Sequence, residues 1–176
     1  MKKVIHLIIV LGVFSSSAYA QDKGSIFIEN ATLVTVTDDI IENGDILITN
    51  RIITEIGTDI SAPAGVTVID GTGKFVMPGI IDAHSHLNTV STNEARNPVT
   101  AEVTMEESID PNEVAIYRAL AGGVTSIHLM HGSANVIGGQ GETLKLRYGT
   151  TQDGMRFQGA KRTIKFALGE NPTRVH

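Results

Sequence analysis

The sequence has no cysteine and no tryptophan, and aromatic residues make up only 5% of its 176 positions. Without cysteine the chain can form no disulfide, receive no lipid on a cysteine, and use no thiolate as a metal ligand or nucleophile. The low aromatic content, the net charge of −5 and the lack of a basic cluster argue against a nucleic-acid partner. Hydrophobic residues still amount to 41% of the chain, which is enough for a folded core.

No apolar run approaches the roughly 20 residues that a membrane-spanning helix needs. Residues 1–20 have the form of a secretory signal peptide instead. Lys2 and Lys3 are positively charged, an apolar stretch follows, and Ala18-Tyr19-Ala20 is a small-x-small cleavage pattern. We therefore predict cleavage after Ala20, a periplasmic or secreted product, and no stable membrane anchor after cleavage. An uncleaved anchor is the alternative.

Short apolar runs separated by turn residues occupy positions 21–75. Each run is only a few residues long, and turn-forming residues such as asparagine, glycine and proline stand between them. Strands this short and evenly spaced predict a small antiparallel sheet or a sandwich, which alone would be a structural β module. The runs begin at Ile26, Thr32, Ile46, Ile52 and Val66.

Residues 75–87, FVMPGIIDAHSHL, form an apolar run that ends in two histidines. His84 and His86 are two positions apart, so on a strand both imidazoles project to one face, which Asp82 shares. Neutral imidazole is the commonest metal ligand, and two imidazoles on a rigid strand make half of a divalent-metal site. The alternative is a strand-end pair of partly exposed histidines without a ligand role.

The residues after His86 predict a long loop, a helix and a second strand. Residues 88–109 are polar and turn-rich, whereas Asp110-Pro111 with Glu113 has the form of a helix start with a capping box. Gly122-Gly123 would end this helix, and residues 124–130 follow as a buried strand, which completes a βαβ unit.

The last part of the chain is rich in glycine. Residues 131–159 predict no clear element, and the run Gly138-Gly139-Gln140-Gly141 fits the spacing of neither common nucleotide-binding loop. Residues 162–168 predict one more strand.

Three of these segments, in this order, resemble the amidohydrolase superfamily, and more narrowly its imidazolonepropionase-like members. Residues 43–74, residues 76–86 with the H-x-H pair, and residues 121–126 are similar to the family's leading β domain, first barrel strand and second barrel strand. The resemblance implies an α/β fold. A small β-sandwich portion over residues 21–75 would precede, over residues 76–176, the first strands and helices of a (β/α)8 TIM-type barrel.

The resemblance also implies a site. His84 and His86 would bind the more buried of one or two divalent metals, most often zinc, for hydrolysis of a carbon–nitrogen bond in a linear or cyclic amide. Lys165 lies in a segment similar to the family strand whose lysine is carbamylated, and as a carbamate it would be a further ligand. A lysine on a solvated strand edge, without a ligand role, is the alternative. Glu170 is the alternative to Lys165. His131, at the end of the second strand, and Asn135 are candidates for lining the substrate pocket, and a short polar loop without such a role is the alternative. His128 is expected to be a core or supporting histidine.

Some residues that the family uses have no counterpart here. After His131 the only histidine is His176 and the only aspartate is Asp153, whereas complete members add two metal histidines and a late aspartate as general base. A barrel of this kind needs about 200 to 250 residues. We therefore expect an inactive N-terminal portion of an enzyme, whose full-length form could be a homo-oligomer. A different class stays open: a non-catalytic periplasmic β module with a partial α/β extension, which would hold no zinc.

Overall fold

The computed structural model describes residues 24–176. The predicted signal peptide, residues 1–20, lies outside the described residues. The chain divides into two compact units, one ending at Met77 and the other running from Pro78 to His176. Within residues 24–176, none of the helices has the length and apolar character that crossing a membrane requires.

The first unit is built on one five-stranded sheet with β1 (Ile26–Leu33) in its middle. One edge of β1 pairs with β2 (Ile41–Thr49), which pairs with β3 (Ile52–Gly57); the other pairs with β4 (Thr67–Asp70) and the two-residue β5 (Phe75–Val76). The first three strands are antiparallel, but β4 and β5 run parallel to β1. The predicted antiparallel pairing is therefore correct for β1 to β3 and wrong for β4 and β5, because a turn signal does not distinguish a hairpin from a crossover.

The apolar core of this unit is small, and the unit also buries one carboxylate, that of Asp45. Asp45 of β2 is almost fully buried. Its Oδ1 accepts the backbone N–H of Asn30 at 3.2 Å, and its Oδ2 accepts that of Ile60 at 3.0 Å. A buried carboxylate with such partners ties β1 and the segment after β3 to β2. The fully or nearly buried apolar side chains are Phe27, Ala31, Leu33, Ile46 and Leu47.

The second unit begins with the βαβ arrangement that the sequence predicts. Strand β6 (Ile80–Ser85) pairs in parallel with β7 (Val124–Leu129), and helix α1 (Val114–Ala121) lies between them in the chain. Parallel neighbouring strands joined through a helix are the repeating unit of an α/β barrel. The predicted βαβ unit is confirmed.

Two further strands depart from the parallel pattern of a barrel. Strand β8 (Ile137–Lys145) is antiparallel to β7 through its second half and antiparallel to β9 (Thr163–Phe166) through its first half. β8 falls in the glycine-rich segment for which the sequence predicts no element, whereas β9 lies inside the predicted strand 162–168. A 3₁₀ helix (Glu106–Ser108) and two short helices, α2 (Gln152–Met155) and α3 (Glu170–Val175), complete the elements.

Helix α1 begins later than its capping signals predict. Oδ1 of Asp110 accepts the N–H of Asn112 at 3.0 Å, and Oε2 of Glu113 accepts the backbone N–H of Asn88. The helix starts after Glu113, whose side chain does not cap it, and ends at Ala121, just before Gly122. The predicted start was therefore wrong, because the predicted capping residues form a turn that anchors loop 88–109. The predicted end is confirmed.

One face of the second sheet packs on an apolar core, and this packing holds β7 in place. Ile127 and Leu129 of β7 are fully buried in this core, and His128 between them points to the opposite face by strand alternation. Burying an aliphatic side chain of this size stabilises the fold by about 1.5–3 kcal/mol. The core consists of Met105, Ile109, Ile116, Ile127, Leu129, Leu144, Leu146 and Met155.

Candidate metal centre

His84 and His86 lie side by side at the C-terminal end of β6. His84 is the penultimate residue of the strand, and His86 follows its last residue, Ser85. The ring centroids of the two histidines are 5.3 Å apart and the ring planes cross at 79°. Both residues are exposed, so an ion from solvent can reach both imidazoles.

The backbone of Met130 orients His86. The N–H of Met130 donates to the carbonyl oxygen of Ser85 at 3.0 Å, and the Met130 carbonyl oxygen lies 2.9 Å from Nδ1 of His86. A carbonyl can only accept a hydrogen bond, so Nδ1 carries the proton and Nε2 keeps its lone pair. A backbone carbonyl on one ring nitrogen commonly supports a histidine whose other nitrogen binds a metal.

Lys165 is the predicted ligand that the fold brings to the histidine pair. It lies on β9, 81 positions after His84, and its Nζ is 3.3 Å from Nε2 of His84. Lys165 is half-buried, whereas its strand neighbours Ile164 and Phe166 are exposed. β9 therefore places an amine at a nitrogen that a metal would use.

The charge of Lys165 lowers the pKa of His84 below its ordinary value. Burial and the neighbouring His86 act in the same direction, Asp82 opposes them, and His128 adds a further lowering. Asp82 also holds the strand, since its Oδ1 accepts the backbone N–H of His84 at 3.2 Å. A lowered pKa keeps the imidazole neutral, which is the form that binds metals.

Glu170, the alternative to Lys165, is the first residue of α3 and forms an ion pair with Arg174. Its Oε1 lies 3.8 Å from Nη1 of Arg174, one helical turn further on, and both side chains are largely exposed. Among residues 24–176, no group of three or more His, Cys, Asp or Glu side chains is arranged to hold a metal. The potential donors that the structure brings together are His84, His86 and, as a carbamate, Lys165.

Comparisons with known proteins relate the chain to hydrolases, although no family model matches it. The chain is 38% identical to an amidohydrolase of known structure from Thermotoga maritima MSB8, and the two superimpose with a TM-score of 0.75 over 85% of this chain and 40% of that one. The amidohydrolase tasK of Hapsidospora irregularis is 30% identical over 154 residues, and a dihydroorotase of Pelobacter propionicus is 33% identical over 113 residues. The chain is homologous to members of the amidohydrolase superfamily.

The matches span most of this chain but only a small part of its curated relatives. They cover 76% and 64% of this chain, and 16% and 23% of the two curated proteins. The predicted superfamily is confirmed, whereas the narrower imidazolonepropionase-like subgroup stays a prediction.

His131 is buried, and both of its ring nitrogens have a hydrogen-bond partner. Nε2 accepts the backbone N–H of Glu94 at 2.9 Å, and Nδ1 lies 2.9 Å from the carbonyl oxygen of Gly132. Gly138 and Gly139 of β8 lie so close to the ring that a Cβ on Gly138 would be 2.6 Å from Nδ1. These two glycines therefore make the space that the ring occupies.

Asn135 binds the same loop residue, Glu94, through the backbone carbonyl of that residue. Its side chain is fully buried, and Nδ2 lies 2.5 Å from the carbonyl oxygen of Glu94, 2.7 Å from that of Asn97 and 3.0 Å from Oγ1 of Thr100. His131 and Asn135 thus fix the N–H and the C=O of Glu94 in the loop that follows the histidine pair. Sequence alone missed this role, because polar residues after a strand look the same in a pocket and in a loop support.

A cavity of about 250 Å³ lies beside this clamped loop. Its polar lining includes Ser91, Asn93, Glu94, Thr104, Glu107 and His131. His131 therefore reaches a cavity of the size of a small ligand, as expected for a pocket residue, while its nitrogens serve the loop. Its predicted contact with a substrate stays a prediction.

Proposed function

We propose that this chain supplies the metal-binding strands of an amidohydrolase that hydrolyses a carbon–nitrogen bond other than an ordinary peptide bond. The observation that supports this most is the approach of Lys165 Nζ to 3.3 Å from Nε2 of His84. Two histidines at the end of one strand and a lysine from another meet at one point, although the lysine is distant in sequence. These are the residue types that the family resemblance assigns to the metal.

The donor set fits a divalent metal such as Zn²⁺ once Lys165 loses its positive charge. As an ammonium, Lys165 donates to Nε2 of His84 and occupies the lone pair that a metal needs. Reaction of the neutral amine with carbon dioxide forms an N–C bond, releases one proton and leaves a carbamate. Lys165 then offers acceptor oxygens beside the imidazoles of His84 and His86, and zinc accepts nitrogen and oxygen donors of these kinds. The proposal covers one ion or two.

When bound, such a metal supplies Lewis acidity, which polarises an amide carbonyl and acidifies a water molecule. The residues of the chain keep the ligands in place for this chemistry. The carbonyl oxygen of Met130 holds the proton of His86 on Nδ1, and the carboxylate of Asp82 holds the backbone of His84. Ligands fixed in this way need little rearrangement when the ion binds.

We propose a linear or cyclic amide as the substrate. Two of the similar proteins are named dihydroorotase and dihydropyrimidinase, names that refer to cyclic amides. The chain covers only 23% and 18% of these two relatives, so the activity of the whole protein is part of the proposal.

We further propose that the protein is exported to the periplasm or secreted. The support is the positive start at Lys2-Lys3, the apolar stretch and the Ala18-Tyr19-Ala20 pattern. The mass of the exported protein should correspond to a chain that begins at Gln21. An intact Met1 terminus in the periplasmic fraction would contradict this.

Zinc content tests the proposed metal centre. The purified chain, equilibrated with zinc and bicarbonate, should hold stoichiometric zinc, and His84→Ala and His86→Ala should each abolish it. His176→Ala is the matched control, since His176 is also exposed but plays no part in the proposed centre. Substitutions at exposed positions change stability by about 0.5 kcal/mol or less, so loss of zinc would not reflect unfolding. Zinc that persists in both His84 and His86 variants would contradict the proposal.

A further inference from the structure

His128 lies on β7 with each of its ring nitrogens next to a threonine hydroxyl. Nδ1 is 3.2 Å from Oγ1 of Thr143 on β8, and Nε2 is 2.8 Å from Oγ1 of Thr163 on β9. β7 and β9 are not neighbours in the sheet, because β8 lies between them. The ring of His128 therefore joins β7 to β9, the strand that bears Lys165.

Backbone pairing alone gives β9 little support near Lys165. β9 is only four residues long. Within residues 24–176 it is an edge strand of the second sheet and pairs with β8 alone. The pairing joins Thr163, Ile164 and Phe166 to β8 with an irregular register, and Lys165 has no partner in it. A short end strand with an interrupted ladder is a place where local opening costs little free energy, so side-chain links matter there.

Gly141 of β8 makes room for the contact between His128 and Thr163. It is the register partner of Thr163. A Cβ at this position would lie 2.8 Å from the carbonyl oxygen of Leu129, 2.9 Å from Oγ1 of Thr163 and 3.3 Å from Nε2 of His128. A larger residue would push the hydroxyl and the ring apart. Three strands thus contribute a histidine, a glycine and a threonine that fit together at one point.

We propose that His128 is a positioning residue, which holds Thr163 and thereby aims Lys165 at His84. Thr163 and Lys165 are two positions apart, so their side chains project from the same face of β9. Fixing the first side chain limits the rotation of the strand that would turn the second away. The role of this Lys165 position in metal binding rests on the proposed function, but the position itself can be measured in the metal-free chain.

The two threonines provide a matched pair of variants. Thr163→Val removes the hydroxyl on β9 and keeps the side-chain shape, and Thr143→Val does the same on β8. In the metal-free full chain, we expect Thr163→Val to lower the equilibrium constant that favours the Lys165 position beside His84 by about fivefold, which weakens the nuclear Overhauser contact between the Lys165 side chain and the His84 ring. One hydrogen bond's typical net contribution corresponds to about this factor. Thr143→Val should leave the contact unchanged, and Thr163→Ser should restore it.

Carbamylation gives a second measurement. With ¹³C-labelled bicarbonate and zinc, the carbamate signal of Lys165 should fall in Thr163→Val and His128→Ala and return in Thr163→Ser. A wild-type chain without this signal would defeat the proposed role of Lys165 in metal binding, while the Overhauser contact would still test the positioning. The positioning role is overturned if that contact survives in both Thr163→Val and His128→Ala. Equal weakening in Thr143→Val would overturn it too, because general loosening of the sheet would then explain the result.

Discussion

Nζ of Lys165 lies 3.3 Å from Nε2 of His84, although 81 positions separate the two residues in the chain. An ammonium at this distance donates to the imidazole lone pair and repels any cation that approaches it. Carbamylation would change the charge of Lys165 from positive to negative. The chemical state of this one side chain would therefore decide whether a metal can bind to the histidine pair.

Zinc affinity should therefore depend on bicarbonate. In buffer free of carbon dioxide we expect weak binding, and added bicarbonate should raise the affinity by a factor on the order of ten or more. A change in the sign of one neighbouring charge shifts an ionisation equilibrium by at least this much. Isothermal titration calorimetry measures the effect, which Lys165→Met should abolish. Lys145→Met is the matched control, because Lys145 instead lies 4.8 Å from the ring centroid of Phe157. Bicarbonate dependence that persists in Lys165→Met would assign the effect to another group.

Replacing Lys165 should also raise the pKa of His84 in the metal-free chain. The charge of Lys165 is the largest cause of the lowered pKa, so Lys165→Met should return it toward the ordinary 6.5. Asp82→Asn should have the opposite effect, since the charge of Asp82 raises this pKa. NMR titration of the His84 ring distinguishes the two directions, and a shift of the same sign in both variants would contradict this electrostatic account.

The lowered pKa of His84 makes stability depend on pH with a definite sign. The folded pKa lies below the unfolded value, so between the two values the unfolded chain binds more protons and stability rises with pH. Acidification from neutrality through 6.5 should therefore destabilise the chain until the folded pKa is passed. Urea unfolding between about pH 5 and pH 8, the range in which histidines titrate, should show a shallower slope in Lys165→Met. An unchanged slope would mean that groups other than His84 determine how stability depends on pH in this range.

The sequence predicted the elements whose signals are local. The apolar run before His84 and the pair Gly122-Gly123 after α1 identified β6, the end of the helix and β7. It did not predict β8, because glycine is unfavourable in strands. Gly138 is explained by the ring of His131 that packs on it, and Gly141 by its close approach to the carbonyl oxygen of Leu129, the hydroxyl of Thr163 and the ring of His128. Such close approaches arise from the fold and leave no local pattern.

The site was likewise predictable only in part. The spacing of His84 and His86 indicates a ligand pair, but no local pattern reveals that Lys165 reaches His84; the resemblance to a family supplied that expectation. Asp110 and Glu113 have the spacing of a capping box, yet Glu113 binds the backbone N–H of Asn88 instead. A side chain that can bond to a nearby helix end can bond equally well to a distant loop, and tertiary packing decides between them.

Gly138→Ala should destabilise the fold by about 1–3 kcal/mol, the usual cost of overfilling a packed interior. The new Cβ would lie 2.6 Å from Nδ1 of the buried His131, so the ring must move and lose its bond to the N–H of Glu94. Denaturant unfolding measures the first effect, and faster hydrogen exchange at Glu94 measures the second. Gly57→Ala is the control, because its Cβ would meet only Cδ1 of Ile60 at an ordinary 3.9 Å. Equal stability of the two variants would contradict the packing explanation.

The 176-residue chain, loaded with zinc, should not hydrolyse cyclic amides or dipeptides at a measurable rate. His84 and His86 provide two of the three protein ligands that a catalytic zinc site typically has, and the third depends on carbamylation of Lys165. The only aspartate after His131 is Asp153, whose Oδ1 lies 3.5 Å from Nε of Arg156. A positioned general base contributes roughly 10²–10⁴ to the rate, so a chain without one should fall below detection. The test is an assay of a substrate panel with zinc and bicarbonate present, with His84→Ala as the control. Zinc-dependent turnover that His84→Ala abolishes would contradict the prediction and would mean that this chain already contains a working base.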